Sequence, residues 1–326
     1  DVERSRGLGD VYKRQGKEGK NSMFGYVLVT YNRLNKLKIT LSHYDDQLER
    51  DDMLIVVNNG SDDGTKEYLF DWEKQTNRKY KMICIHMEQN DGGASGFKIG
   101  LEKATQLGID WCMISDDDAY LGNGYIKKLK DCIFKFGNDY SVFCSKVIYP
   151  NKQIQYLHRR YLKKGILGIK GISASDSDYS KFVFDINLFS FVGVCIKMSV
   201  IEDVGYPDEN YFIWYDDTDL SIRINQKYKI GCFTDLVMIH DCGNNGANGI
   251  VTFKEYYGYR NRLYTLKKYF DKRYYISYLL LLRLRCISNK RKCPQRVEII
   301  EDAIKGFYRN EKGKNIKYLP NTFKRK

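Results

Sequence analysis

The sequence predicts an open α/β sheet of mostly parallel strands with helices on its faces. Between residues 24 and 147, short apolar runs alternate with segments whose apolar residues recur at helical spacing. Polar or glycine-rich turns separate the two kinds of segment. Such alternation is typical of parallel strands joined by crossover helices. Ligands bind these sheets at the carboxyl ends of the strands, so we expect a functional site in the turns that follow them.

The first half of the chain contains five predicted strands and four predicted helices. The strands are apolar runs at residues 24–30, 53–57, 82–87, 111–115 and 140–147. Asn32 can cap the first helix, whose apolar face carries Leu34, Leu37, Leu41 and Tyr44. The other helices run through Tyr68 and Trp72, from 94 to 107 and from 125 to 136. Each helix follows a strand, as a crossover connection requires.

The second half is less regular. Residues 151–180 are basic and rich in loops, and 182–196 form one long, mostly apolar run. Ser199 and Glu202 have capping-box spacing for a short helix that Gly205 ends. A helix with an acidic start follows at Asp216, then two strands at 229–233 and 236–240, and a largely helical region from 253. We therefore expect a catalytic domain, residues 23–252, and a C-terminal helical region, residues 253–326.

Residues 1–22 are polar and lack hydrophobic periodicity, so we exclude them from the predicted fold. The segment from Asp10 to Gln15 is similar to the translation of a sequencing adapter, and an ordinary disordered N-terminus is the alternative. We expect the natural chain to start at Met23.

The composition favours a folded globular protein. Apolar residues make up 43% and charged residues 29% of the 326 residues. The longest candidate for a membrane span, residues 278–282, is flanked by Arg283 and Arg285, so we expect no segment to cross a bilayer. The nine cysteines form no Cys-x-x-Cys pair, which predicts reduced thiols in a cytosolic protein rather than structural zinc.

The net charge of +13 is concentrated near the C-terminal end. Residues 254–326 hold 21 Lys or Arg and 6 Asp or Glu, whereas the first 253 residues hold 33 and 35. The basic residues alternate with aromatic and aliphatic ones between 269 and 282, which favours an amphipathic helix on an anionic membrane surface. A solvated helical bundle is the alternative, and we do not expect nucleic acid as a partner.

Three adjacent aspartates, Asp116, Asp117 and Asp118, directly follow the predicted strand at 111–115. Adjacent carboxylates repel one another, and a cation relieves that repulsion. Oxygen ligands suit Mg²⁺ or Mn²⁺, which would also neutralise a bound diphosphate. We therefore predict a divalent cation at this turn, with a solvated acidic turn as the alternative.

A glycine-rich turn, residues 90–97, follows the third strand and opens a helix. Glycines let the backbone approach a ligand, and free amides at a helix start favour anions or sugar hydroxyls. The turn lacks the dinucleotide-binding fingerprint. An ordinary tight turn is the alternative.

A second acidic cluster, Asp216, Asp217 and Asp219, follows Trp214 and Tyr215. Tryptophan beside paired aspartates can shape a sugar pocket in which one aspartate is the general base. Stabilisation of the helix dipole is the alternative. His240 ends an apolar strand, and taken alone this position fits a structural histidine better than a ligand.

Together these segments resemble the family 2 glycosyltransferases of GT-A fold over residues 24 to about 270. The resemblance is carried by the order of residues 29–33, residues 57–65, the glycine-rich turn, Asp116 to Asp118, residues 214–217 and His240. Within that family the chain is similar to bacterial galactofuranosyltransferases through residues 90–97, 212–217 and 257–263.

The resemblance implies a role for each matching residue. It implies that Asp217 is the catalytic base, with Asp216 as the alternative. Donor-binding residues implied in the same way are Thr30, Arg33, Asn58, Asn59, Asn90, Gly92, Gly93, Asp116 and Asp117. The implied metal ligands are Asp116, Asp118 and His240, for Mn²⁺ or Mg²⁺. The implied acceptor-binding residues are Trp214, Tyr215, Arg260 and Arg262.

The function implied is an inverting, metal-assisted transfer of a sugar to a glycan or lipid-linked glycan in cell-surface polysaccharide synthesis. UDP-galactofuranose is the expected donor, and dTDP-rhamnose, UDP-glucose and UDP-GlcNAc are alternatives. Asn58 and Asn59 stand where many relatives have an aspartate, and Phe191-Val192 where polymerising galactofuranosyltransferases have paired tryptophans, so the nucleotide and the acceptor stay open. The basic tail predicts a cytoplasmic enzyme, peripheral at the inner face of the cell membrane.

Two other classes are less consistent with the sequence. A sugar-1-phosphate nucleotidyltransferase would need a glycine-rich loop with Arg and Lys after the first strand, and residues 30–33 do not provide one. A non-catalytic carbohydrate-binding protein would be expected to lack Asp217 or the metal aspartates, and all of them are present.

Overall fold

The computed structural model describes residues 22–75, 78–242 and 251–323, which form two sheets and a block of C-terminal helices. Within these ranges the larger sheet has nine strands, in the order β3-β2-β1-β4-β11-β6-β12-β5, with β9 also paired to β12. A smaller sheet has the order β10-β7-β8. The strands are β1 Phe24–Thr30, β2 Met53–Asn58, β3 Lys81–His86, β4 Trp111–Asp116, β5 Ala119–Leu121, β6 Val142–Ile148, β7 Arg159–Lys164, β8 Ile169–Ser173, β9 Val183–Asp185, β10 Leu188–Phe189, β11 Val194–Lys197 and β12 Ile230–His240.

The helices lie on both faces of the larger sheet and at one end of the molecule. They are α1 Leu34–Asp45, α2 Thr65–Glu73, α3 Gly93–Gln106, α4 Tyr125–Phe136, α5 Asp176–Tyr179, α6 Met198–Val204, α7 Asp216–Asn225, α8 Lys254–Tyr269, α9 Lys272–Asn289 and α10 Pro294–Tyr308. The predicted leader, residues 1–22, lies outside the described residues apart from Ser22.

The predicted open, mostly parallel sheet is confirmed. Strand β1 pairs in parallel with β2 and with β4, and β2 pairs in parallel with β3. Strands β2 and β4 are buried along almost their whole length because helices cover both faces, which explains why they read as continuous apolar runs. Helix α3 packs closely on β1, since a side chain at Gly96 or Gly100 would meet Val29 or Val27. Because β1 to β4 run in parallel, their carboxyl ends meet at one edge of the sheet.

The start of α1 differs from the prediction. Asn32 does not cap the helix: it has a positive φ of 51°, and its side chain accepts a hydrogen bond from the amide of Asp62. The side chain of Asp63 instead accepts a hydrogen bond from the backbone amide of Leu34, at 2.9 Å. The cap comes from the turn after the next strand, which local spacing does not reveal.

The second half is more regular than the sequence predicts. The loop-rich segment 151–180 contains the β7–β8 hairpin, and the apolar run 182–196 contains three strands, β9 to β11. The two strands predicted at 229–240 are one strand, β12, with a register shift between Phe233 and Val237. Helix α6 ends at Gly205 as predicted, but it begins at Met198 without the Ser199–Glu202 capping box. A capping box forms at Ser175 and Asp178 instead.

The C-terminal region is helical, as predicted, and packs around its own apolar cluster. Tyr274, Tyr278, Leu279 and Leu282 of α9 are buried there against α8 and α10. The aromatic residues expected on a membrane-facing surface are thus partly inside this block. Among the described helices, none has both the length and the hydropathy needed to cross a bilayer.

Candidate functional site

The first acidic cluster lies at the carboxyl end of β4, where the sheet positions it beside β1. Asp117 is almost completely buried, and its carboxylate accepts hydrogen bonds from Thr30 Oγ1 at 2.7 Å and Arg33 Nη1 at 3.2 Å. Thr40 Oγ1 donates to the carbonyl of Asp117 at 2.7 Å. Asp117, Thr30 and Arg33 thus come together as predicted, but Asp117 is already engaged by the protein and holds the turn.

Asp118 faces both a cation and a histidine. Arg33 Nη1 lies 2.7 Å from its Oδ2, and His240 Nε2 lies 3.3 Å from its Oδ1. Strand β12 brings His240 to this position, because its last residues pair with β5 immediately after the acidic turn. Two of the three predicted metal ligands are therefore neighbours.

Gln155 orients His240. Its Nε2 donates to the carbonyl of His240 at 2.7 Å, so its Oε1 must accept from Nδ1 of the same ring at 2.9 Å. His158 approaches the same Oε1 through Nε2, at 2.9 Å, and lies against the His240 ring. The tautomer with a proton on Nδ1 leaves the Nε2 lone pair of His240 directed at Asp118.

This arrangement fits a divalent cation in part. Asp118 Oδ1 is buried and has no hydrogen-bond donor among the described residues. Two acceptors that face each other repel unless a positive charge lies between them, and a metal-binding histidine usually donates its other N–H to a fixed acceptor. Within the described ranges no three acidic, histidine or cysteine side chains are gathered as a metal site, so Asp116 does not complete a ligand set here.

Asp116 is the most perturbed residue of this cluster. Burial, followed by the charges of Asp118 and Asp117, raises its pKa to about 7. The charges of Asp116 and Asp118 also act on Lys254 at the start of α8, whose pKa is lowered by burial and by Arg33. A cluster of carboxylates therefore has two cationic neighbours, Arg33 and Lys254, and the sequence interpretation included only Arg33.

The donor side of the predicted site is a network of asparagines at the ends of β2 and β3. Asn59 Nδ2 donates to Asn90 Oδ1 at 3.2 Å and to the carbonyl of Gly92 at 2.9 Å. Asn58 accepts the amide of Ser61 at 3.0 Å, and its Nδ2 lies 3.3 Å from Nδ1 of His86. The structure thus joins the turn after β2 to the glycine-rich turn after β3 through the side chains of Asn59 and Asn90.

The two central glycines of the glycine-rich turn have different surroundings. Gly92 has a φ of +89°, and a Cβ there would lie 2.0 Å from the carbonyl oxygen of Phe212. A Cβ on Gly93 would have no atom within 4 Å. Gly92 is required by backbone packing against the loop before α7, whereas Gly93 faces open space.

The loop before the second acidic cluster has a strained backbone. Phe212, Trp214 and Tyr215 have φ of 65°, 63° and 73°, a region that is costly for residues other than glycine. Asn261 of α8 stabilises the loop, because its Nδ2 donates to the carbonyls of Tyr211, Ile213 and Trp214 at 2.9, 3.0 and 2.9 Å.

Arg260 supports this loop and does not face a site for the acceptor substrate. This corrects the predicted acceptor-binding role of Arg260. Its side chain is completely buried. Its Nε donates to Asn261 Oδ1 at 3.0 Å, and its Nη1 to the carbonyl of Gly313 at 2.9 Å. Arg260 therefore orients the amide of Asn261.

Asp216 and Asp217 begin α7 next to the first cluster. The charge of Asp116 contributes to raising the pKa of Asp216, after burial and the charge of Asp217. Asp217 Oδ1 accepts from the amide of Thr218 and from its Oγ1, at 2.5 and 3.1 Å. Burial raises the pKa of Asp217, and the positive charge of Arg160 on β7 opposes that shift.

The remaining predicted acceptor residues surround this helix start. Trp214 is 45% exposed, and Gly258 allows its indole to lie against α8. Burial raises the pKa of Tyr215 to about 12, an effect that the charge of Arg262 opposes. Arg262 itself lies over the ring of Tyr278 at 4.3 Å and donates to the carbonyl of Ile169.

Sequence reasoning missed four residues of the site, Gln155, Arg160, Lys254 and Asn261. Asn261 lay within the matched segment 257–263 but had no assigned role. The other three come from the segment expected to be loops and from the start of the C-terminal region. Nothing in the local sequence distinguishes them, because tertiary packing brings them to the strand ends.

Comparisons with known proteins identify a family and several related enzymes. The profile of the family described as Glycosyl transferase family 2 matches residues 26–196, just over half of the chain. The chain is 24% identical over 259 residues to galactofuranosyltransferase GlfT1 of Mycolicibacterium smegmatis, covering 74% of the chain and 82% of the relative. It is 26% identical over 257 residues to dTDP-rhamnosyl transferase RfbF of Shigella flexneri, covering 76% and 81%.

Solved structures share the fold. The mannosyltransferase PcManGT from Pyrobaculum calidifontis, in complex with GDP-Man and Mn²⁺, superposes with a TM-score of 0.55 at 13% identity, over 93% of this chain and 83% of its own. S. aureus TarS 1-349 in complex with UDP-GlcNAc superposes with a TM-score of 0.55 at 14% identity, over 88% and 81%. In a second solved structure, titled S. aureus TarS without a residue range, the match spans only 44% of the TarS chain. The predicted GT-A fold is confirmed.

Proposed function

Because the chain belongs to glycosyl transferase family 2, we propose that it transfers a sugar from a nucleotide-sugar donor to an acceptor hydroxyl with inversion at the anomeric carbon. Cell-surface glycans or lipid-linked glycans are the proposed acceptors, and the inner face of the cell membrane is the proposed location. One observation carries the proposal: the start of α7, which bears Asp216 and Asp217, lies close enough to the acidic turn after β4 for the charge of Asp116 to act on Asp216. A base and a diphosphate site are thus side by side.

Asp217 is suited to be the base. The amide and hydroxyl of Thr218 hold its Oδ1, and Oδ2 makes no hydrogen bond to any described residue. A carboxylate with one fixed oxygen and one available oxygen can accept a proton in a defined direction. Its raised pKa makes it a better proton acceptor than an ordinary exposed aspartate. Asp216 is more deeply buried and is the alternative base.

The proposed reaction is a direct displacement. Asp217 removes the proton of the acceptor hydroxyl while that oxygen forms a bond to the anomeric carbon. The bond from this carbon to the phosphate oxygen breaks at the same time, and its electron pair leaves with the nucleoside diphosphate. Arg33, which is paired with Asp117 and Asp118, and Lys254 contribute positive charge at this turn that would stabilise the diphosphate.

We assign a divalent cation, Mn²⁺ or Mg²⁺, to Asp118 and His240, with Asp116 as a further candidate ligand. The orphaned Asp118 Oδ1 and the orientation of His240 by Gln155 support this assignment. The presence of Mn²⁺ in the structure of PcManGT supports a divalent cation more generally. Such a cation would neutralise the diphosphate of the donor.

UDP-galactofuranose is the proposed donor, and dTDP-rhamnose is the principal alternative. Similarity to GlfT1 supports the first and similarity to RfbF the second, at nearly equal identity.

A donor screen tests the function. The protein is incubated with Mn²⁺ and, separately, with UDP-galactofuranose, dTDP-rhamnose, UDP-glucose and UDP-GlcNAc, and the products are identified by mass spectrometry. We expect hydrolysis or transfer from one donor, and none from the same donor with the Asp217→Asn variant. Consumption of no donor, or equal consumption by that variant, would contradict the proposal.

A further inference from the structure

The outer face of α9 carries a stripe of exposed aliphatic side chains. Ile276, Leu280, Leu284 and Ile287 are 42%, 59%, 62% and 74% exposed, and we call these four residues the outer stripe. Their spacing of three or four residues places them on one side of the helix. Tyr274, Tyr278 and Leu282, on the opposite side, pack into the C-terminal cluster. Helix α9 is therefore apolar on both sides, and among the described residues only the side facing α8 and α10 is covered.

The exposed side of α9 carries a continuous row of aliphatic side chains and not isolated ones. Scattered aliphatic side chains are ordinary on a protein surface, but a row of them along about three turns of one helix is typical of a contact surface. Helix α9 has no proline, glycine or acidic residue that would interrupt the row.

The charged residues of α9 and of the segment directly after it are all positive. Residues 272–292 include seven Lys or Arg and no Asp or Glu. Arg283 lies between stripe residues, and Lys290, Arg291 and Lys292 follow the helix; all four are exposed. Asp271 precedes the helix beside Arg273, at 4.0 Å, and Glu301 acts on the inner side, near Cys286. An occupant of this face must be apolar in part and anionic in part.

An anionic lipid surface satisfies both requirements. Aliphatic side chains enter the boundary between headgroups and acyl chains, while Lys and Arg contact lipid phosphates. A second copy of the chain would bring the same positive charges together. Nucleic acid would gain from the charges but would leave the outer stripe in water.

We propose that the outer face of α9 docks on the surface of an anionic bilayer, with the outer stripe inserted and the basic residues at the headgroups. The helix lies in the plane of the surface and does not cross it, in agreement with the hydropathy of the described helices.

Docking would also orient the catalytic site. Helix α9 contacts the catalytic domain through Tyr274, whose hydroxyl donates to the carbonyl of Gly165. Its Tyr278 lies under Arg262 of α8, which in turn donates to the carbonyl of Ile169. The neighbouring helix α8 holds the loop before Asp216 through Asn261. The block of helices that holds the catalytic loop thus also presents the outer stripe. This consequence for a lipid-linked acceptor rests on the proposed function, whereas docking itself does not.

Vesicle co-sedimentation of the full chain tests the proposal. We expect the protein to sediment with vesicles of phosphatidylcholine and phosphatidylglycerol, to stay in solution with phosphatidylcholine alone, and to dissociate in high salt. Leu280→Gln/Leu284→Gln should reduce the bound fraction about tenfold, because it removes the inserted groups. Arg283→Glu/Lys290→Glu should reduce it about tenfold as well, because it reverses two charges at the surface.

Matched controls come from α4, on the catalytic domain. Phe134 is 72% exposed, and Lys127 and Lys128 are exposed on the same helix. Phe134→Gln and Lys127→Glu/Lys128→Glu should leave vesicle binding unchanged. Thermal unfolding of all variants should match the unmodified protein, since every substituted side chain is exposed.

Three results would overturn the proposal. They are equal binding to neutral vesicles, unchanged binding by both α9 variants, and a stripe-dependent dimer in sedimentation velocity that does not bind vesicles. The donor screen separates this test from the proposed function. Transfer to a soluble acceptor should be unaffected by the α9 variants, and vesicle binding should persist in Asp217→Asn.

Discussion

The two acidic clusters of the site contain the same residue type but are positioned by different means. Asp116 to Asp118 follow a buried parallel strand, and the neighbouring strand holds them through Thr30 and Arg33. Asp216 and Asp217 follow a backbone with three unfavourable φ angles, and Asn261 of a C-terminal helix holds that backbone. The first cluster is positioned mainly by two neighbouring strands and the turn after β1, whereas the second depends on a helix of the C-terminal region. At the second cluster we therefore expect some substitutions to lower the transfer rate alone and others to lower the free energy of unfolding as well. We do not expect this separation at the first cluster.

Asp217→Asn should have the largest effect. The amide keeps the contacts with Thr218 but cannot accept the acceptor proton, so we expect the transfer rate to fall about 10³-fold. Binding of the nucleotide, measured by calorimetry, should be unchanged. Asp203→Asn, at a surface ion pair with Lys227, is the control and should keep full activity. Near-normal turnover of Asp217→Asn would show that another residue is the base.

Asn261→Ala should destabilise the protein through the second cluster alone. Three carbonyls lose their donor, so we expect the free energy of unfolding to fall by about 2 to 4 kcal/mol, measured by urea denaturation. The transfer rate should fall while donor affinity is retained. Asn289→Ala removes an amide that bonds within its own helix and should cost less than about 0.5 kcal/mol. Equal losses in both variants would contradict the role of Asn261.

Gly92→Ala and Gly93→Ala form a matched pair at the contact between the two halves of the site. A Cβ at Gly92 collides with Phe212, and its φ is positive, so we expect a loss of about 2 to 3 kcal/mol in the free energy of unfolding. Gly93→Ala should change stability by less than about 1 kcal/mol. If Gly93 contacts the donor, as the sequence implies, donor affinity should nevertheless fall in this variant. Equal stability of the two variants would disprove the close approach.

Gln155→Leu tests the first cluster. Loss of the acceptor for His240 Nδ1 frees the ring to rotate or change tautomer, so we expect Mn²⁺ affinity to fall about 10- to 100-fold. Electron paramagnetic resonance of added Mn²⁺ measures this without reference to activity. Gln153→Leu, two residues away and exposed, is the control. Unchanged Mn²⁺ binding by Gln155→Leu would disprove the orientation of His240 for a metal.

The acid side of the pH profile should show the smallest effect. Burial raises the pKa of Asp217, so the transfer rate should fall on acidification at a higher pH than for an ordinary aspartate. Thr218 Oγ1 donates to the charged form and so lowers this pKa. Thr218→Val should therefore move the acid limb of kcat upward by about 0.5 pH units. A downward shift would contradict the assignment of Asp217 as the base.

Sequence patterns predicted the first half of the fold well and the second half less well. Strands β1 and β4 and helix α4 agree within a residue with their predicted ranges, because buried parallel strands and amphipathic helices have strong periodic signals. Segment 151–180 gave no such signal, although it contains a hairpin and Gln155. Its short, half-exposed strands are specified by their partners, so local periodicity does not identify them.

The sequence by itself determined the parallel sheet, the family resemblance and the identity of the acidic residues, because strand burial and motif order are properties of consecutive residues. Only the tertiary structure decided which of these side chains are engaged by the protein and which remain available. Asp117 and Arg260 are occupied by internal partners, whereas Asp118 Oδ1 and Asp217 Oδ2 are not hydrogen-bonded to the described residues. It also decided which side of α9 is covered. The physical reason is that hydrogen bonding and burial depend on neighbours distant in the chain, which no local pattern contains.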